Sequence, residues 1–370
     1  MLFLGYSHVV NYQSWSGCDN PNLGYGSMLE SFKSSAPKTV VFDANASVHV
    51  HMNVPYGVRG WFEGQHRVLF SMWETDVLPA NFRRWLGQYD QVLVPCQHNV
   101  ELFSEFHSDV SCCPLGVDHK FWKPLNTKKD GVFRFHGGGS LWRRKGLDVL
   151  VKAFNALKLP DAELHIKAAP HARDTPSGGF GPNIFLNRQW MTAIEQREWF
   201  NQADCFVAVS RGEGFGLMPL QAIASGIPTI ISDSTGQAQF TGLAVGVVPC
   251  GKSEAETTGQ WDEPDQKVLE ELMMDVYSNR DQAAVKAKQG VVGSKAFSWG
   301  LSAQKFVDLI PAGTLLADPK HVLPNVSMEV QVVRKVNAHI GNAAYVMYPG
   351  ETYVVPENVY DVLFASGAIR

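Results

Sequence analysis

The chain has 370 residues, 45% of them hydrophobic and 18% charged, the composition of a globular protein long enough for two domains. Lys and Arg (32) against Asp and Glu (36) leave a net charge of −4, which excludes an overall basic field for nucleic acid or anionic membrane, though not a local basic groove. Six cysteines (Cys18, Cys96, Cys112, Cys113, Cys205, Cys250) form neither a CxxC pair nor a framework spacing, so reduced thiols in an intracellular protein are expected.

The opening MLFLGYSHVV lacks a basic n-region, and its apolar run is too short for a signal peptide or a membrane span. A cytoplasmic protein is expected. Leu2-Phe3-Leu4, Thr39 to Phe42, Arg67 to Phe70 and Gln91 to Val94 are short runs rich in Val, Leu and Phe, each closed by Gly, Asp, Ser or Pro. They are predicted as buried strands. Polar, helix-competent stretches separate them, and that alternation implies a mostly parallel sheet with helices on both faces. PLGVDHKFWKP (114–124) and the polar NTKKDG after it mark a boundary, so residues 1–124 are one domain.

A second alternating set follows over 125–297. Strands are predicted at Val132 to Phe135, Asn183 to Leu186, Glu163 to Lys167, Cys205 to Val209 and Pro228 to Ile231. Helices are predicted at Leu147 to Leu157, Thr192 to Ala203, 264–290 and Ser298 to Ile310. The expected fold class is α/β, two doubly wound domains facing a cleft, with ligands at the carboxyl ends of the strands. After Pro319 the pattern changes: Glu329 to Val333 alternates, Tyr345 to Met347 leads into a Pro349-Gly350 turn, and Val354 to Asn358 is expected to open a short helix ending at Gly367. Residues 326–370 are therefore read as a small appended β-rich module.

Two strand-to-helix turns carry the chemistry. In SRGEGFGLMPLQAIASGIPT (210–229), Gly212, Gly214 and Gly216 surround Glu213 just before a helical stretch. A helix start preceded by glycines is an anion site, because free N–H groups and the positive dipole end converge there. A carboxylate beside it is repelled by bare phosphate, so Glu213 must face hydroxyls or positive charge developing in a transition state. The other turn, HGGGSLWRRKG (136–146), offers Arg143, Arg144 and Lys145 to neutralise a diphosphate. One acidic and one cationic glycine turn together suit a sugar attached to a diphosphate.

Residues 204–233, DCFVAVSRGEGFGLMPLQAIASGIPTIISD, closely resemble the signature of retaining glycosyltransferases of the GT-B fold, especially glycosyltransferase family 4. RRKGLDVLVKAFNAL (143–157) is similar to that family's phosphate loop and following helix. SMWETDVLP (71–79), CPLGVDHKFWKP (113–124) and NLGYGSMLESF (22–32) resemble its acceptor-side strand, linker and first glycine turn. The resemblance implies a metal-independent enzyme without a cofactor, moving a hexosyl or pentosyl group from a UDP- or GDP-sugar donor. Glu213 would stabilise the reacting sugar and Lys145 the leaving diphosphate. The backbone of Gly214, Phe215, Gly216 and Leu217 would hold sugar and phosphate, with Arg143, Arg144 or Arg211 replacing an arginine the family has near Gly139 or Ser140. Gly24, Tyr25 and Gly26 would close over the phosphates, the nucleobase would lie near Asn187 to Met191, and residue 221 would bind the ribose. Here that residue is Gln221 where the family has glutamate, an amide that keeps one acceptor and loses the carboxylate's double grip. Trp73 and Glu74 stand where many members have histidine and, with Asp76, are the acceptor-side candidates. The resemblance also implies that residues 298–312 pack back on the first domain.

His49 and His51 lack a third ligand at metal spacing and are read as ordinary polar or cleft-rim residues. Asp43 and Asp76 serve the acceptor or cap loops. Trp61, Trp85, Trp122 and Trp142 are read as core. The tail resembles small β modules of bacteriophage proteins, which implies a phage enzyme acting on hydroxymethylated DNA bases or a virion protein; docking or dimerisation is the other reading of that tail. A glycan acceptor is equally compatible. The alternative to an enzyme is a catalytically weak module that binds sugar nucleotides or glycans, suggested by Gln221 and the displaced arginine.

Overall fold

The computed structural model describes residues 2–6, 24–38, 40–42, 46–55, 61–62, 64–125, 127, 130–139, 143–168, 180–313, 321–322, 327–332, 335–340, 343–356 and 363. Asp43 and Trp142 lie outside them, as do Cys18, residues 357–362 and residues 364–370.

The first unit comprises β1 (Leu2–Tyr6), α1 (Gly24–Ser35), β2 (Val40–Phe42), β3 (Val48–Met52), the two-residue β4 (Trp61–Phe62), β5 (His66–Phe70), α2 (Ala80–Leu86), β6 (Gln91–Val94), α3 (Gln97–Ser104) and β7 (Val110–Cys112). Six strands form one parallel sheet in the order β2-β1-β3-β5-β6-β7. The period of two sorts its side chains between two layers. Val48, Val50, Met52, Val68, Phe70 and Leu93 join Met28 and Phe32 of α1 on one face. Leu69, Val92 and Val94 join Phe82, Leu86 and Phe103 on the other. β3 and β7 were not expected. In β3 the histidines that break the apolar pattern are themselves interior, with His49 3% and His51 1% exposed, so they do not lie on a cleft rim.

The second unit repeats the plan with β8 (Phe133–Gly139), α4 (Leu147–Leu157), β9 (Ala162–Ala168), β10 (Ile184–Asn187), α5 (Ala193–Gln202), β11 (Cys205–Ala208), α6 (Leu217–Ala224), β12 (Thr229–Ser232), a 3-10 stretch at Thr235–Leu243, and β13 (Gly246–Val248). Its parallel sheet runs β10-β9-β8-β11-β12-β13. The strand order reverses between β8 and β11, so the crevice beyond their carboxyl ends is the topological switch point. Phe133, Phe135, Leu164 and Ile166 bury against Leu147, Leu150 and Phe154 of α4. On the opposite face Phe185, His165, His136 and Phe206 stand side by side on four neighbouring strands. Trp199 of α5 covers this row, its ring centroid 4.5 Å from that of His136.

An antiparallel hairpin, β14 (Cys250–Glu254) with β15 (Gln260–Pro264), comes before the last helices. The span expected as helical, 264–290, holds two helices, α7 (Gln266–Ser278) and α8 (Arg280–Ser294), separated at Asn279 with φ −114 and ψ 48. The chain then returns to the first sheet. Val117 N–H donates to Phe297 O at 2.9 Å where outgoing and returning segments cross. Helix α9 (Trp299–Leu309) lays Trp299 and Phe306 against Phe32, with ring centroids 5.4 and 5.2 Å away. Gln91 Nε2 donates to Leu309 O at 2.9 Å.

In the tail, β16 (His321–Val322) pairs with β4, β17 (Ser327–Gln331) with β20 (Thr352–Pro356), and β18 (Val336–Ile340) with β19 (Ala343–Met347), all antiparallel. Val354 to Pro356 end a strand instead of opening a helix, because their backbone is paired with residues 327–329. The five described cysteines are free.

Candidate active site

The two glycine turns leave the carboxyl ends of β8 and β11, the adjacent strands at the switch point. Gly146, with φ 66, starts α4, and Gly216, with φ 97, starts α6. Both occupy the left-handed region, which side chains other than glycine's enter only at a cost. This geometry delivers Lys145 and Glu213 to each other: Nζ lies 2.5 Å from Oε1. Ser210 Oγ donates to the same carboxylate oxygen at 2.7 Å. Glu213 is 7% exposed. Burial pushes its carboxyl up, but the charges of Lys145 and Arg144 and the two hydrogen bonds reverse that and hold it below the ordinary glutamate value. Burial likewise lowers the Lys145 ammonium, against the opposing pull of Glu213.

The other cations have different posts. Arg144 donates to Gly212 O at 2.6 Å and lies 3.6 Å from Glu74 of the first unit. Arg143 is exposed and pairs with Glu256 at 3.0 Å. Arg211 is engaged within the protein. Its five N–H donors are directed to Asp148, Glu263 and Arg143 O, through both Asp148 oxygens, both Glu263 oxygens and one carbonyl. Its side chain is 4% exposed. Two carboxylates from α4 and β15 claim this guanidinium, a pairing invisible in the local motif.

The first unit forms the facing wall. A Cβ on Gly212 would come 2.1 Å from Glu74 O, so only glycine admits the loop after β5. Trp73 is turned into its own unit: Nε1 donates to Thr75 Oγ1 at 2.7 Å, and its ring meets Phe82 edge-on at 4.8 Å. Asp76 accepts from the Gln260 N–H at 2.6 Å, tying the β14–β15 hairpin to this wall. Gly24 to Gly26 form the first turn of α1, with Tyr25 half-buried against the core. The Phe215 side chain is core, 2% exposed and edge-on to Phe240, so only its backbone is on offer, as is Gly214's; Leu217 is partly buried.

Sequence reasoning missed Asn99. It is fully buried at the start of α3, accepts from the Trp73 N–H at 2.6 Å and donates to Gly214 O at 3.3 Å, joining the two walls. Asn187 lines a cavity of 420 Å³ with His165, Phe185, Gln189, Trp190 and Met191. Next to it on α5, Gln196 Nε2 reaches Gln221 Oε1 at 3.5 Å. Among the described residues no group of three or more His, Cys, Asp or Glu could hold a metal ion. No described helix is long and apolar enough to cross a membrane.

Residues 134–256, which include both glycine turns and the hairpin's first strand, match the family model described as Glycosyl transferases group 1. In this segment the chain is similar to Glycosyl transferases group 1 domains. Among curated proteins, the chain is 27% identical over 224 residues to a D-inositol 3-phosphate glycosyltransferase of Paenarthrobacter aurescens (strain TC1), covering 55% of this chain and 52% of that one. It is 24% identical over 175 residues to a protein of Sulfolobus islandicus filamentous virus (isolate Iceland/Hveragerdi) that also bears a glycosyltransferase name, covering 46% and 48%. The chain thus spans about half the length of the curated relatives it matches. Among solved structures, WaaG, described as a glycosyltransferase involved in lipopolysaccharide biosynthesis, superposes with a TM-score of 0.56 at 13% identity, covering 84% of this chain and 100% of that one. The matched segment and the sheet before it therefore have the GT-B arrangement of two Rossmann-like units.

Proposed function

We propose that this protein is a retaining glycosyltransferase that moves a sugar from a nucleoside-diphosphate sugar to a hydroxyl acceptor. The observation that carries the reading is the meeting of Lys145 and Glu213 at 2.5 Å, each on its own glycine turn at one switch point. The pair sets side by side a cation suited to a diphosphate and a carboxylate suited to sugar hydroxyls. The diphosphate takes Lys145 and the N-terminus of α6, while the sugar hydroxyls take Glu213. The ribose lies at Gln221, and the base enters the cavity beside Asn187, whose aromatic walls suit a planar ring. Uracil and guanine both fit that chemistry. The bond from the anomeric carbon to the phosphate oxygen breaks as the acceptor oxygen bonds the same sugar face, and the acceptor proton passes to the leaving diphosphate.

Thermal-shift screening of UDP- and GDP-sugars, followed by assay of nucleoside diphosphate release, tests this reading. The expected result is stabilisation by at least one donor, and release that Glu213→Ala abolishes. Donor binding without release in the wild type would instead favour a sugar-nucleotide-binding module, the reading that Gln221 and the engaged Arg211 support.

A further inference from the structure

Thr235 has φ 41, in the left-handed region that a β-branched residue rarely adopts. It is one of two such non-glycine residues among those described, and it sits directly on the Glu213 backbone. Its Oγ1 accepts from the Glu213 N–H at 2.8 Å and donates to Glu213 O at 3.0 Å. The next N–H, that of Gly236, donates to the same carbonyl at 2.8 Å. A Cβ on Gly236 would lie 2.5 Å from Gly214 O, so this segment is fitted flush against the glycine turn. A residue held in a costly conformation needs surroundings that fix it, and here the fixed contact is to the backbone of the site's acid.

We infer that Thr235 is a positioning residue: its hydroxyl clamps both peptide groups of Glu213 and aims the carboxylate that Lys145 and Ser210 then hold. This rests on the proposed role of Glu213. The clamp belongs to neither glycine turn and comes from the first residue of the 3-10 stretch after β12. Without it the backbone at Glu213 would have more freedom, since both of its neighbours are glycines.

The test is a double-mutant cycle on donor turnover. Thr235→Val keeps the branched shape and its backbone cost while removing the hydroxyl; Thr235→Ser keeps the hydroxyl. Thr235→Val is expected to lower kcat about tenfold with little change in donor KM. It should have almost no further effect in a Glu213→Gln background, and Thr235→Ser should stay within about threefold of wild type. Equal losses in both backgrounds, or a Thr235→Ser loss as large as that of Thr235→Val, would mean ordinary structural support and overturn the inference. If the wild type turns over no donor, the functional reading fails separately. The clamp is then read from hydrogen exchange at the Glu213 amide, which Thr235→Val should speed about tenfold with the melting temperature of the fold retained. Unchanged protection overturns it.

Discussion

Lys145 and Glu213 are partners across two turns that the chain forms 68 residues apart, with Nζ and Oε1 separated by 2.5 Å. Each is the other's counter-charge at the switch point. Lys145→Met should therefore lower turnover about 10²–10³-fold and also destabilise the fold by stranding a buried carboxylate. The Lys145→Met/Glu213→Gln pair should recover part of the lost stability while turnover stays as low as in either single variant. Chemical unfolding and nucleoside diphosphate release measured side by side check this. Because the Glu213 carboxyl is held below its ordinary value of 4.5, its stabilising share is complete above that pH and is lost as pH falls through the folded-state value.

Gln221→Glu should tighten nucleoside diphosphate binding up to about tenfold, since a carboxylate accepts both ribose hydroxyls where the amide offers one oxygen. The Gln196 amide beside it can still donate to the new side chain. Titration calorimetry with UDP and GDP measures the change; equal affinities would remove residue 221 from the ribose site.

Arg211→Met should cost about 2–3 kcal/mol of stability, because Asp148 and Glu263 lose their shared cation while water partly relieves the half-exposed Glu263. Adding Asp148→Asn and Glu263→Gln should restore most of it. A variant with unaltered stability and a sharply raised donor KM would instead return Arg211 to the phosphates.

Gly212→Ala places a methyl group 2.1 Å from Glu74 O, a backbone atom that cannot swing aside. The loops must part, so turnover should fall at least about tenfold with a loss of about 1–3 kcal/mol of stability. Wild-type behaviour in both assays would show that the two walls do not touch in solution.

His49 and His51 add a pH dependence of their own. Burial lowers His49 to about 4, and burial together with the neighbouring His49 lowers His51 to about 3, from 6.5 for each. Between those values the unfolded chain binds more protons than the native one, so stability is complete above pH 6.5 and declines as pH falls through the folded values. From pH 7 to pH 5, His49 alone should cost about 2 kcal/mol. Urea midpoints across that range check this, and His49→Phe should flatten the profile.

Most of the parallel scaffold was legible because its strands are short apolar runs broken by turn residues. β3 was hidden by its interior histidines. The β14–β15 hairpin was hidden because only Trp261 and Pro264 among its strand residues are buried, too few to make an apolar run. In the site, Glu213, Lys145 and the glycines were readable because one local turn needs them together. Asn99 reaches Gly214 from 115 residues away, and Asp148 and Glu263 reach Arg211 from 63 and 52. A motif carries the charge of Arg211 but not the partners that neutralise it.

Helix α9 has a consequence for how the molecule is made. It is the lid over Phe32 and the backstop for Gln91, yet the ribosome delivers it only after every strand of the other sheet. The emerging first sheet must therefore wait with an apolar face uncovered, a state open to chaperones and to wrong partners. A fragment ending near Pro124 should be poorly soluble alone and be rescued by a peptide of the α9 sequence. In this chain, a helix made after the whole second sheet completes the first-made domain.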